Sequence, residues 1–254
     1  MPSKRERSKR ENARRRPAAT VRPETGGPEA PRGLPAAAAE EARRTAEPFL
    51  RGDGAPPGAE PLAKATLGVA LRVIQQSPLT GKHACRAGCD FCCHTAVTAA
   101  PPEVFAIAAY LRAHYDAEEL RQVREPIDRN ASLAASMSRA DYIAALIPCA
   151  LRTPDGNCRA YPVRPLACAG FLSTSREACA AEFHRVPGRG PVPVDRYALA
   201  AGLGVSHGLK AACQQAGLDG EFYELHHALR RVWEEPEAAV RWARGADVFG
   251  GCPR

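Results

Sequence analysis

Three absences narrow what this sequence can encode. No stretch approaches the roughly 18 consecutive apolar residues of a membrane-spanning helix, so we expect no membrane span. The basic amino-terminal tail has no apolar segment behind its charges, which argues against a secretory signal peptide and favours a cytoplasmic location. The chain also contains no P-loop, no GxGxxG after a strand, no GxSxG and no HExxH motif, so no common enzyme class is indicated.

Aromatic residues are scarce at 6%, but hydrophobic residues make up 45% of the 254 positions, enough for a globular core. The net charge of +7 belongs to the tail, because residues 1–16 carry eight Lys or Arg against two Glu. The remaining residues are close to neutral. Such a tail predicts either a solvated arm or electrostatic attachment to nucleic acid or anionic lipid. Nucleic-acid binding is the weaker hypothesis, because residues 1–48 hold no aromatic side chain for base stacking.

Proline and glycine divide the chain into two regions. Residues 17–61 contain nine Pro and six Gly, an Ala run at 36–39 and few large apolar side chains. A segment of this kind buries too little apolar surface to offset its ordering entropy. We therefore predict a disordered basic arm and linker over 1–61 and a cysteine-cluster domain over 62–254, with its motif core at 80–180 and carboxy-terminal helices at 195–245.

The apolar periodicity after residue 62 predicts helices. Leu67, Leu71 and Ile74 repeat at helical spacing before Pro78, and Pro101-Pro102-Glu103 is typical of a helix start. Helical segments are predicted at 101–115, around 120–127 with a bend or end at Pro126, around 143–146, and at 195–216, 220–233 and 236–242. No segment alternates with period two, so the predicted fold is mainly α: a helical frame with irregular cysteine-rich metal-binding loops.

Eight of the ten cysteines lie in two bursts, the first at residues 85–93 and the second at residues 149–179. Residues 1–84 and 94–148 contain no cysteine. The eight clustered cysteines, which we take as candidate metal ligands, are Cys85, Cys89, Cys92, Cys93, Cys149, Cys158, Cys168 and Cys179. Thiols at such short spacing suit zinc, iron or an iron–sulfur cluster. In a reducing location, clustered cysteines are more typical of metal ligands than of disulfides.

Local sequence supports this interpretation. Gly88 allows a tight turn within the first burst, and Pro154-Asp155-Gly156-Asn157 predicts a turn that folds Cys149 and Cys158 toward each other. The adjacent pair Cys92-Cys93 diverges in direction on any regular backbone, so its sulfurs suit two metals, or one cluster and one supporting role. Two four-thiolate sites, or one cluster with spare thiols, are both open.

Three arginines beside the second burst, Arg152, Arg159 and Arg164, would offset thiolate charge and favour the ligating form. His83 and His94 flank the first burst as a further ligand or supporting donor, although ordinary loop histidines are commoner. Among the acids, Asp90 is expected to hydrogen-bond within the metal turn.

For the remaining polar and cysteine residues we predict structural roles instead of metal binding. Glu103 is expected at a helix N-terminus. We predict that His226 and His227 form a surface pair and that Cys213 is a buried thiol. Cys252 is expected in a loose carboxy-terminus, where it is a poor ligand candidate.

The combined pattern resembles a known family. It consists of Cys-x3-Cys-x2-Cys-Cys, then Pro102-Glu103-Val104, then Cys149, Gly156-Asn157-Cys158, Tyr161, Arg164-Pro165, Cys168, Ser173 and Cys179. Over residues 80–180 it is similar to the YkgJ-type cysteine-cluster family, whose short signature is CxxCxxCC and whose domain is described as zinc- or iron-chelating. All eight family cysteines have a counterpart here, with a first interval of three residues instead of two.

What the resemblance implies is metal chelation. A flagellin lysine methylase also resembles this domain and is thought to carry an iron–sulfur cluster. Three hypotheses therefore stand: a zinc or iron chelator through the eight cysteines, an iron–sulfur redox enzyme or protein-modifying transferase, and, more weakly, a nucleic-acid-associated protein. The metal ion is the one partner that the residues indicate directly.

Overall fold

A computed structural model of the chain describes residues 29–50 and 58–253. Within these ranges the fold is mainly helical, as predicted, with a single two-stranded sheet. The helices are α1 Leu34–Leu50, α2 Ala59–Ile74, α3 Pro101–His114, α4 Ala117–Ser136, α5 Arg139–Ala144, α6 Leu166–Gly170, α7 Arg176–Phe183, α8 Arg196–Gln215, α9 Leu225–Glu234 and α10 Ala238–Ala243. Strands β1 Thr98–Ala99 and β2 Tyr223–Glu224 pair antiparallel. None of the helices within the described ranges has the length and apolar composition needed to cross a lipid bilayer.

Helix α1 corrects the prediction of a disordered linker. Its residues Ala38, Ala42 and Ala46 are fully buried and belong to the same core as the helices that follow residue 62. The Ala run therefore forms a packing stripe at helical spacing, and the sequence argument failed because it counted only large apolar side chains. The basic arm, in residues 1–16, lies outside the described residues, as do the other positions of 1–28 and 51–57.

The partner of α1 is α8, and the two helices meet through small residues. A Cβ at Gly204 would collide with the Pro35 carbonyl oxygen, and one at Gly208 with that of Ala39. Close backbone approach of this kind needs glycine on one side. The contact places α8 at the centre of the frame, where α1, α2 and α6 pack against it.

The second half of the core lies around α9, which packs against α3 and α4. Phe105 contacts both Trp242 and Phe249, with ring centroids 5.7 and 5.6 Å apart. Such aromatic groups bury a large apolar area and fix the carboxy-terminal segment onto α3. The small sheet joins the end of the first cysteine segment to the start of α9, with Thr98 opposite Glu224.

Most predicted helices are present, with shifted ends. Proline and acid at the start of α3 give a helix that begins at Pro101, and α8 begins at Arg196, just after the capping Asp195. Of the expected bend or end at Pro126, the end is wrong, because α4 continues through this residue to Ser136. Burial of Val123 and Ile127 on the same face stabilises the helix on both sides of the missing amide donor.

Candidate metal centre

The eight clustered cysteines lie in two segments on this frame, residues 84–95 and 148–179, which we call the cysteine loops. The second segment contains α6 and the start of α7. The amide of Cys149 donates to the carbonyl oxygen of Cys93 at 2.7 Å. This backbone hydrogen bond joins the two bursts, which are separated by more than fifty residues in sequence. The fold thus brings the first and second bursts side by side.

The first cysteine loop is organised by a tight turn. Gly88 has φ of +76°, a conformation that glycine adopts without steric cost, and the amide of Cys89 donates to Arg86 at 3.0 Å. A short 3₁₀ turn, Phe91–His94, follows and carries Cys92 and Cys93. The consecutive thiols therefore lie on one tight helical turn, where their side chains hydrogen-bond to each other.

The second loop contains the predicted turn, and the structure confirms that it folds back. Arg152 and Cys158 form an antiparallel bridge, and the amide of Arg159 donates to Leu151 at 2.8 Å. Gly156 has φ of +81° at the tip. This hairpin brings Cys158 back beside the segment that follows Cys149.

The two glycine turns contact each other directly. The amide of Gly88 donates to the Asn157 side-chain oxygen at 3.0 Å. A Cβ placed on Gly156 would lie 3.0 Å from the Gly88 carbonyl oxygen, so the backbones touch at this point. This contact and the backbone hydrogen bond from Cys149 to Cys93 together fix the relative positions of the first cysteine loop and the hairpin that carries Cys149 and Cys158.

Cys168 is positioned by a buried carboxylate. Glu103 accepts hydrogen bonds from Ala100 at 2.8 Å and from Leu166 at 2.7 Å, so it caps both α3 and the short helix α6 that bears Cys168. Burial raises the pKa of Glu103 to about 7, against the lowering effect of these two amides. The expected helix-capping role is confirmed, and it extends to a second helix.

Cys179 lies on α7, which contacts the 3₁₀ turn of the first loop. The Phe183 ring packs against Phe91 and His94, with centroids 5.7 and 4.7 Å apart. Between α6 and α7, Ser173 donates its amide to the Cys85 sulfur at 3.4 Å. An amide donor of this kind stabilises a thiolate or a cluster sulfur.

Burial and neighbouring thiols raise the pKa values of several of these cysteines. Desolvation by burial is the main cause that raises the pKa of Cys158 to about 11, and it raises that of Cys168 well above its ordinary value. The hydrogen bond between Cys92 and Cys93, followed by burial, raises the pKa of Cys92.

Two sets of neighbours are distinguishable. The charges that further raise the pKa of Cys85 come from Cys89, Cys92 and Cys179. Those that act on Cys168 come from Cys149, Cys158 and Cys92. Cys92 belongs to both sets and, with its hydrogen-bonded neighbour Cys93, lies at their border.

All ten cysteines are free thiols. Within the described residues, no three Cys, His, Asp or Glu side chains are arranged as the ligands of one metal ion. Solvent reaches Cys85, Cys92 and Cys168, even though the surrounding protein desolvates their thiols. The cysteine-bearing segments are therefore adjacent and partly solvent-accessible, and the ligand set itself stays a prediction.

The arginines and histidines of the loops have specific contacts. Arg152 forms an ion pair with Asp90. The charge of Arg164 partly offsets the burial that raises the pKa of Cys158, and its guanidinium lies 4.1 Å from the centre of the Tyr161 ring. His83 donates to the buried Asp195 at 2.7 Å. His94 donates to the Asp90 carbonyl at 3.1 Å. His83 thus joins the residue before the first loop to the start of α8, and His94 bonds to the backbone within the loop.

Sequence analysis missed His226. It was predicted on the surface, but its side chain is only 2% exposed and adjoins the second cysteine loop. The amide of Ala150 donates to Nε2 at 3.1 Å, so Nδ1–H donates to Glu224 at 2.8 Å. The Cys149 thiol is a further hydrogen-bond neighbour of the ring. Only the pairing of β1 with β2, which sets the start of α9, could have revealed this position.

Cys213 is buried as expected, whereas Cys252 contradicts the prediction of a loose terminus. Its side chain is buried, and Sγ lies 3.2 Å from Nδ1 of His227. Scans of this chain against protein-family models, curated proteins and solved structures found no match. The resemblance to the YkgJ-type family therefore stays a prediction based on the residues quoted above.

Proposed function

We propose that this chain binds zinc or iron through its eight clustered cysteines. The observation that carries the proposal is the hydrogen bond from Cys149 to Cys93, which joins two thiol-rich segments that are distant in sequence. Thiolates are the ligands that zinc and iron–sulfur clusters share, and no other donor type is comparably concentrated in this part of the molecule.

The donor set fits a thiophilic ion in its chemistry. The loops have free thiols, and the amide donor on the Cys85 sulfur and the nearby cation of Arg164 favour bound thiolate, whereas burial opposes it. Ion binding would draw the sulfurs together, since site assembly and local folding are coupled in such loops.

The two sets of neighbouring thiols favour two four-sulfur groups. One group comprises Cys85, Cys89, Cys92 and Cys179, and the other comprises Cys93, Cys149, Cys158 and Cys168. This division assigns Cys93 to the second group because its carbonyl oxygen accepts the amide of Cys149, and it assigns Cys92, whose charge acts on Cys85, to the first.

The metal proposal is tested by measuring metal content after anaerobic purification. Cys149→Ser is expected to lower the bound metal to half or less of the wild-type value, whereas Cys213→Ala, which alters a buried thiol of α8, leaves it unchanged. Equal metal content in the two variants would contradict the proposal. The separate substitutions Cys179→Ser and Cys168→Ser test the division, because each should remove one group's metal and leave the other's.

A second candidate is an iron–sulfur redox enzyme or protein-modifying transferase. It is favoured by the exposure of Cys85, Cys92 and Cys168 to solvent, which would leave a bound cluster accessible to a substrate or a redox partner. This function predicts a coloured protein with equimolar iron and sulfide. A colourless protein with stoichiometric zinc would leave the chelator as the function.

A further inference from the structure

A second candidate site lies on the other side of α9, away from the cysteine loops. A cavity of about 150 Å³ is bounded by one face of α9 and by the carboxy-terminal segment. Its lining consists of His227, Arg230, Arg231, Glu234, Gly250, Gly251 and Cys252. The volume is several times what a single water molecule needs. A small ligand therefore has room.

The protonation of His227 follows from its neighbour. Nη2 of Arg230 contacts Nε2 of His227 at 3.1 Å, and a guanidinium can only donate, so Nε2 accepts. The ring is then neutral and carries its proton on Nδ1, which donates to the Cys252 sulfur at 3.2 Å. This chain of hydrogen bonds holds one wall of the cavity rigid.

The cavity has unused donors. Arg231 uses only Nε, which donates to Val248 at 3.1 Å, and its two Nη groups have no acceptor within the described residues. The amides of Gly250 and Gly251 likewise have no acceptor there. A guanidinium fork beside free backbone amides is the donor arrangement that recognises oxyanions.

The acidic side chains offset the positive charge of the cavity. Glu234 lines the cavity, and the carboxylate of Asp247 lies against Gly250. These two charges balance those of Arg230 and Arg231. Binding would therefore depend on directed hydrogen bonds from the unused donors more than on a strong positive field.

We propose that this cavity binds a phosphoryl oxyanion, with the Nη groups of Arg231 and the amides of Gly250 and Gly251 as its hydrogen-bond donors. The ligand is either inorganic phosphate or the phosphate group of a small monoester. The site is separate from the cysteine loops and does not depend on the metal proposal.

Calorimetric titration of the full-length protein with sodium phosphate, and separately with glycerol 1-phosphate, tests the inference at constant ionic strength. Arg231→Gln is expected to weaken binding by roughly tenfold, because it removes charged hydrogen bonds. Glu234→Gln is expected to tighten it about threefold, because it removes a nearby exposed negative charge. Arg139→Gln, at an exposed arginine on α5, is the matched control and should bind as the wild type does.

The two ligands distinguish the source of the phosphoryl group. Tighter binding of the monoester would assign an organic phosphate, and equal or tighter binding of the inorganic ion would assign free phosphate. Phosphate held only by the basic arm would be insensitive to Arg231→Gln. That result, or no binding of either ligand, would overturn the inference.

Discussion

The helical frame and the cysteine loops are stabilised in different ways. Helix α8 buries Leu209, Val205 and Ala201 completely, and it contacts α1 across a seam of small residues. The 3₁₀ turn Phe91–His94 and helix α7, by contrast, have no buried residue. The loops depend on glycine turns and hydrogen bonds. The frame thus has a hydrophobic core of its own, and the second cysteine loop is anchored in it through Leu151 and Leu166. The first loop and α7 have no buried residue to offset their ordering entropy.

Metal removal should separate the two regions most clearly. Treatment with a chelator is expected to raise hydrogen exchange in the first cysteine loop and α7, and to leave the amides of α8 protected. The expected effect is large, since binding by structural thiolate zinc sites contributes on the order of 10 kcal/mol. Exchange measured by mass spectrometry, before and after chelation, provides the comparison. Loop amides that remain as protected as those of α8 would show that the loops are stable without a metal.

A substitution in the helical frame should reduce the stability of the fold without changing metal binding. Gly208→Ala places a Cβ against the backbone of Ala39 and is expected to lower the free energy of unfolding by about 1–3 kcal/mol. Metal content per folded molecule should not change. Gly68→Ala is the matched control, because its Cβ would meet only the Arg72 side chain at 3.6 Å. Alanine there should stabilise α2 by about 0.5–1 kcal/mol.

The contact between the glycine turns can be broken without removing any cysteine. Gly156→Ala brings a Cβ against Gly88 and is expected to lower metal affinity. Gly188→Ala has a similarly positive φ of +72° but no atom within 4 Å of the new Cβ, so it carries the backbone strain alone. Competition titration with a chromogenic chelator compares the two variants. If both lose affinity equally, the turn contact does not organise the site.

The smallest expected effect is on the pH dependence of the metal-free protein. Burial raises the pKa of Cys158 from its ordinary value of 9.0 to about 11. The unfolded thiol therefore loses its proton at lower pH than the folded one, and stability present below pH 9 should be lost as the pH rises toward 11. Denaturant unfolding from pH 8 to 11 measures this loss. The slope should become shallower in Cys158→Ser, and an unchanged slope would refute the assignment.

Sequence reasoning succeeded where a local pattern decides the structure. Pro101 with Glu103 specifies the start of α3, and the turn at 154–157 specifies the hairpin of the second loop. It failed at α1, where the Ala run was taken to bury too little apolar surface. A small residue stabilises a helix only when another helix packs closely against it, and the sequence does not show which helix does so. His226 and Cys252 were also misplaced, since their burial results from contacts between distant segments.

The sequence by itself determined the thiol content, the turns and most of the helices, because these depend on residue type and on neighbours a few positions away. Only the tertiary structure decided which segments meet: Cys93 with Cys149, the turn of Gly88 with that of Gly156, and α1 with α8. These contacts depend on backbone groups and on close approach between distant parts of the chain. No spacing of side chains along the sequence specifies them.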